Sequence, residues 1–157
     1  MISKDVFFMR LALKEAEAAV SENEVPVGAV LVLDGKVVAS AHNRRESEND
    51  PTAHAELLVL RKGAAETDNW RLTGSTLYVT KEPCVMCAGA MVNARLTRLV
   101  YGCRDSRYGA VASQYQIASD ARLNHRIDVL SGILEDECSD ILKNFFKVRR
   151  QIYQIED

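Results

Sequence analysis

Val27-Gly28-Ala29-Val30-Leu31-Val32-Leu33-Asp34-Gly35-Lys36-Val37-Val38-Ala39-Ser40-Ala41 is the stretch that decides the fold class. Residues 27–33 are apolar without a break, and a turn signal bounds them. A run this short reads as a buried strand. Asp34-Gly35 is a two-residue hairpin signal, because a type I′ turn needs positive φ at both central positions. Residues 36–41 return as a second, antiparallel strand. Working outward, residues 3–21 upstream read as an amphipathic helix, with Val6, Met9, Leu13, Ala16 and Val20 three and four apart. Downstream come a polar loop (42–50), a helix (51–65) entered through Asp50 and Pro51, and a strand (76–80). A helix (83–95) and a strand (98–102) follow. Residues 106–119 are expected to be helical with irregular ends. A short strand (127–130) and a final helix (135–150), burying Cys138, Ile141, Leu142 and Phe145, complete the chain. A hairpin followed by alternating strands and helices predicts an α/β, three-layer fold. Its mixed central sheet has about five strands, with helices on both faces.

The chain has 157 residues and no Pro/Gly/Ser linker or internal repeat, so one domain over 1–157 is expected. Hydrophobic residues make up 47% and charged residues 27%, which excludes a disordered tail or a fibrous repeat. The longest uncharged stretches, 83–94 and 108–119, are twelve residues each, too short for a membrane helix of about 20 residues. Lys4, Asp5 and Arg10 interrupt the N-terminus, so no secretory leader and no membrane partner are expected. A net charge of −2 argues against a basic coat for nucleic acid. Without an export signal, a reducing cytoplasm is the expected location. There, Cys84-x-x-Cys87 points to metal or redox work rather than a staple.

His54-Ala55-Glu56 and Pro83-Cys84-Val85-Met86-Cys87 carry the chemistry. Cys84 and Cys87 lie three apart at the start of a helix, so they share a face and sit in the positive end of its dipole. His54 also stands at a helix start. Two helix N-termini that meet would supply one nitrogen and two sulfur ligands. Three protein ligands with a fourth position open is the arrangement of a catalytic zinc ion; a closed structural site uses four. A carboxylate two residues from a zinc histidine can hydrogen-bond the metal's water and move its proton, as general base and then general acid. Residues two apart on a regular helix face opposite ways, so Glu56 and His54 converge only if His54 lies in the cap or first turn. Taken alone, C-x-x-C also fits a redox pair or half of a structural zinc site. The joint pattern is far more specific. His42 and His125, each alone in a polar loop, read as solvated or loop-bonding, and Cys138 as packing.

The resemblance extends beyond these residues. Glu24 to Val30, His42-Asn43-Arg44, Asp50 to Glu56, Leu77 to Thr80, Glu82 to Met91, Tyr101-Gly102, Arg104-Asp105 and Asn124-His125-Arg126 together resemble the bacterial tRNA-specific adenosine deaminases of the TadA type. The likeness covers about residues 5–150. It implies a cytidine-deaminase-like fold, a homodimer, and one zinc ion per subunit held by His54, Cys84 and Cys87. It implies deamination of the wobble adenosine of a tRNA anticodon to inosine, through a zinc-bound hydroxide with Glu56 as proton shuttle. The chain departs from the family pattern at Gly109-Ala110-Val111-Ala112-Ser113 and at Ser119-Asp120-Ala121-Arg122, which bears on loop details and RNA contacts rather than on the zinc chemistry.

An anticodon stem-loop needs local positive charge to hold it. Residues 143–150 read KNFFKVRR, so Lys147, Arg149 and Arg150 are candidates. Arg95, Arg98, Arg104 and Arg107 form a second set, offset by Asp105, and Asn43 is expected by resemblance to reach the nucleotide. The same residue types also serve as solvated helix ends and turn formers. Two rival functions share the pattern. A free-base deaminase for guanine or cytosine would keep every zinc residue without needing the basic helix. A non-catalytic RNA-binding module with a structural zinc would have no use for Glu56.

Overall fold

The computed structural model describes residues 2–155, and side chains as far as residue 153; residues 1, 156 and 157, the ends of the expected 1–157 domain, lie outside it. Five strands form one sheet: β1 (Gly28–Leu33), β2 (Lys36–His42), β3 (Thr76–Lys81), β4 (Arg98–Cys103) and β5 (Asp128–Ser131). Their spatial order is β2-β1-β3-β4-β5. The β1–β2 and β1–β3 pairs are antiparallel, and β3, β4 and β5 run parallel. Helices α1 (Lys4–Ser21), α2 (Ala55–Thr67), α3 (Val85–Asn93) and α4 (Glu135–Ile155) cover the sheet. The hairpin turns where the sequence indicates, with positive φ at Asp34 (52°) and Gly35 (75°).

The unbroken apolar run of β1 follows from its double burial. Ala29 and Leu31 join the core that contains Val59, Leu77, Cys87 and Met91, on the α2 and α3 side. Val30 and Val32 point the other way, to Met9, Ala12, Leu13 and Cys138 of α1 and α4. Asp5 fastens α1 to the sheet. It accepts from the Arg98 guanidinium at 2.8 and 2.9 Å and from the Tyr78 hydroxyl at 2.8 Å. Arg98 holds the Asp5 carboxyl below its ordinary range, and burial and the Asp5 bond push Tyr78 up to about 12. Among the described residues, no helix is long and apolar enough to cross a membrane.

The structure corrects several expectations. Residues 106–119 are not a helix; only Ile117–Ser119 form a single 3-10 turn. Glu82 takes the backbone donors of residues 111–113, as described below. The helix expected from residue 51 starts at Ala55, because Asp50 draws the Thr52 N–H and hydroxyl into a local turn. Val20 is 40% exposed, and Ala19 takes its place in the core. Cys138 is fully buried, whereas Ile141, Leu142 and Phe145 are half-buried.

Candidate functional site

The two half-motifs meet at paired helix starts. His54 is the N-cap of α2, with extended backbone (φ −79°, ψ 148°), and Cys84 is the N-cap of α3 (φ −76°, ψ 177°). The parallel β3–α3–β4 crossover brings α3 beside α2. His54 Nδ1 lies 3.7 Å from Cys84 Sγ and 3.6 Å from Cys87 Sγ. The three ligand atoms all lie within 4.8 Å of one another, a grouping able to hold a metal ion. An ion with bonds of about 2.0–2.1 Å to nitrogen and about 2.3 Å to sulfur, at tetrahedral angles, sets N···S at about 3.6 Å. The side chains present fit such an ion.

The cap position of His54 also resolves the geometric condition on Glu56. Because His54 is extended, Glu56 in the first turn of α2 does not have to face the opposite way. Both border one cleft of about 700 Å³, together with Cys84, while Cys87 lies buried behind. Glu56 is 4% exposed, and burial raises its carboxyl above the ordinary range. Cys84 is lowered to about 4 by hydrogen bonds with the Cys87 thiol and with His54. Cys87, donor in that pair and more deeply buried, is pushed up. His54 is raised by its bond to Cys84.

Asn43 stands where β2 ends, on the cleft wall. Its Oδ1 accepts the Ala55 N–H at 2.8 Å, so it caps α2 from another segment while His54 makes no side-chain cap bond. Asp105 lines the cleft too. Its carboxylate accepts the Arg107 and Tyr108 N–H groups at 3.0 Å each and pairs with Lys81 at 2.9 Å.

The basic candidates divide. Arg107 and Arg149 border the cleft; Arg104, Lys147 and Arg150 are exposed and lie outside its lining. Arg149 also sits over the Phe145 ring, 5.0 Å from its centroid. Arg98 belongs to Asp5 rather than to a groove. Arg95, at φ 61° past the end of α3, spends its guanidinium on the Val92 and Asn93 carbonyls. His42, at the end of β2, bridges Glu15 and Glu22, and His125 bonds the Leu96 carbonyl.

Sequence reasoning assigned no role to several cleft residues: Glu24, Arg45, Lys81, Glu82, Tyr108 and Tyr115. Glu24 is 1% exposed and accepts the Glu46 and Ser47 N–H groups, fixing the loop that carries Arg45. The available signal was an acidic residue shortly before a proline, at Glu24-Val25-Pro26 and Glu82-Pro83-Cys84.

The chain has known relatives. Residues 3–150 match the model of the MafB19-like deaminase family. A tRNA-specific adenosine deaminase of Streptococcus pyogenes serotype M1 is 43% identical over 150 residues, covering 96% of this chain and 88% of that protein. The enzyme of the same name from Bacillus subtilis is 44% identical, covering 96% and 93%. A solved structure from work on A-to-I editing by tRNA:A34 deaminases at the wobble position of transfer RNA superposes with a TM-score of 0.84. It is 49% identical, with 87% of this chain and 99% of that one covered. With its mixed five-stranded sheet, its His-Cys-Cys cluster and near-full-length identity to these relatives, the chain belongs to the tRNA-specific adenosine deaminases, within the MafB19-like deaminase family.

Proposed function

We propose that the protein, as a single domain over residues 1–157, hydrolytically deaminates the wobble adenosine of a tRNA anticodon to inosine. His54, Cys84 and Cys87 would hold one zinc ion per subunit. One observation carries this reading: the ligand trio opens onto a cleft that also holds a buried carboxyl, Glu56. A structural zinc would be closed by a fourth ligand. When bound, zinc acidifies a coordinated water, whose pKa falls toward about 7. Glu56 would move two protons in turn: the first from the attacking water to purine N1 as the water oxygen bonds C6, the second from that oxygen to the 6-amino group, which leaves as ammonia as its bond to C6 breaks. The raised pKa of Glu56 suits it to hold that proton.

The cleft volume of about 700 Å³ is of the size that ligand sites have. Tyr108 and Tyr115, 68% and 57% exposed, give unpaired bases stacking faces at its rim, and Arg45, Lys81, Arg107 and Arg149 offer cations to phosphates. The names of the relatives support tRNA, through its anticodon stem-loop, as the substrate. The resemblance further supports a homodimer working in the cytoplasm.

The test is to incubate purified protein with total tRNA and assay inosine at the wobble position. Glu56→Ala should keep stoichiometric metal while the rate falls by about 10²-fold to 10⁴-fold. Deamination of free guanine or cytosine, with no inosine in tRNA, would assign the site to a free-base enzyme instead.

A further inference from the structure

Glu82 follows β3 and precedes Pro83 and the candidate ligand Cys84. It is 3% exposed, yet its carboxylate makes five hydrogen bonds. Oε1 accepts from the Asp105 N–H (3.1 Å) and the Ser113 hydroxyl (2.6 Å). Oε2 accepts from the N–H groups of Val111 (3.2 Å), Ala112 (2.9 Å) and Ser113 (2.9 Å). Every donor comes from residues 105–113. Its neighbours grip the same segment. Lys81 pairs with Asp105 at 2.9 Å, and the Pro83 carbonyl accepts the Ala110 N–H at 2.9 Å.

A buried charge is tolerated only when hydrogen bonds replace its water, and here one loop supplies them all. Five donors saturate a group with about four lone-pair sites, leaving Glu82 no capacity for a metal or for proton transfer. The gathered loop reaches the core at Ala110 and Val111. It exposes Arg107 and Tyr108, and Tyr115 just beyond it, along the cleft. Gly109 completes the arrangement, since an added Cβ would overlap both the Glu82 carboxyl and the Asp105 carbonyl.

We infer that Glu82 is a positioning residue for the substrate: it fixes the loop bearing Arg107, Tyr108 and Tyr115 in register with the Cys84 end of α3. The inference rests on the RNA reading proposed above. One three-residue segment, 81–83, thus grips the loop on the RNA side of the cleft and leads directly into Cys84.

Glu82→Gln keeps the shape but has one acceptor oxygen, so at least one loop N–H meets an NH₂ group. With an anticodon stem-loop carrying the wobble adenosine, KM should rise roughly tenfold or more, the cost of one or more unsatisfied donors. The single-turnover rate at saturation and the metal content should stay near wild type. Gly109→Ala displaces the loop without touching the carboxylate and should give the same split. Because both act through one loop, their double variant should show less than the product of the single effects. Ser113→Ala removes one bond and should raise KM by a smaller factor.

An unchanged KM in folded Glu82→Gln and Gly109→Ala, a fall in saturating rate alone, or loss of metal would overturn the inference. So would failure of all three single variants to fold, which would make Glu82 a fold-support residue. Absence of inosine formation by the wild type would refute the proposed function itself, and with it this inference.

Discussion

Asn43→Ala separates two duties that the structure gives to one side chain. His54, the N-cap of α2, makes no side-chain cap bond, and the Asn43 amide oxygen bonds the Ala55 N–H instead, at 2.8 Å. Ala55 is fully buried, so removing the amide leaves its N–H without water to replace the bond. Loss of a cap costs about 1 kcal/mol, and an unsatisfied buried donor about 1–3, so a loss of about 1–2 kcal/mol follows. With an unfolding entropy of about 2.1 cal/mol/K per residue, a chain of 157 residues has a total near 330 cal/mol/K. The melting temperature should therefore fall by about 3–6 °C. Asn43→Asp keeps the acceptor and places negative charge at a helix N-terminus, which is favourable, so it should recover most of that loss. Yet it lacks the amide donor that the cleft position offers a nucleotide. KM for the stem-loop should thus rise in both variants, while only Asn43→Ala melts early. Calorimetry and steady-state kinetics on the two variants decide this. If Asn43→Ala melts within about a degree of wild type, or Asn43→Asp melts as early as Asn43→Ala, the capping argument is wrong.

Three further expectations concern other parts of the molecule. Cys84→Ala and Cys87→Ala should each lose metal and activity together, as elemental analysis will show; stoichiometric metal in either would break the ligand assignment. The His42 bridge works while the imidazole is protonated and both glutamates are ionised. Burial alone would lower the His42 pKa, but Glu15 and Glu22 raise it above 6.5, and Glu22 falls below 4.5. The bridge's stabilisation is therefore complete between those ordinary values. It is lost as pH rises through the raised histidine value and, on the acid side, as pH falls through the lowered carboxylate value. Urea melts should show a gap between wild type and His42→Gln at pH 6 that shrinks by pH 9, and an equal gap at both would refute the bridge. Replacing Lys147, Arg149 and Arg150 together by Ala should lower the salt slope of stem-loop binding by roughly 0.7–0.9, one phosphate contact. Arg149→Ala alone should reproduce it, because Arg149 alone of the three borders the cleft; an unchanged slope would move the RNA contact to Arg45, Lys81 and Arg107.

Much of the fold was legible because its signals are local. The β1 run, the Asp34-Gly35 turn and the periodicity of α1 each lie within a few residues of chain. The metal trio was legible for a different reason: ligand chemistry restricts residue type, and both halves announce themselves at helix starts. Long-range hydrogen bonding left no such trace. Residues 106–119 have the small and apolar side chains of a plausible helix. The backbone donors of residues 111–113 go instead to the Glu82 carboxylate, more than twenty residues earlier, and those of Arg107 and Tyr108 go to Asp105; no short window of sequence displays the first competition. Arg98 failed as a groove residue for the same reason, since its partner, Asp5, lies at the far end of the chain. Charge runs gave the sign of a surface and not its direction: of residues 147, 149 and 150, one faces the cleft.

The site also explains why its supports are acidic or amide side chains borrowed from other elements. Both His54 and Cys84 occupy helix N-caps, the positions where Ser, Thr, Asp or Asn ordinarily satisfy the first backbone donors. Under the proposed metal ligation those positions would exchange capping for ligation; the positive ends of the two helices meet at one point, which favours thiolate and any negative charge that develops there. The lost capping has to come from outside. Asn43 supplies it for α2, from just past the end of β2. Buried carboxylates hold the backbones of the loops that border the opening: Glu24 for 46–47, and Glu82 for 105–113, where Ala110 and Val111 also reach the core. A carboxylate suits this because it accepts several N–H groups at once and presents no donor of its own. An open cleft beside two helix starts whose N-cap side chains make no cap bond therefore draws acceptors from elsewhere in the chain: Asn43 serves α2, and Glu24 and Glu82 hold the bordering loops.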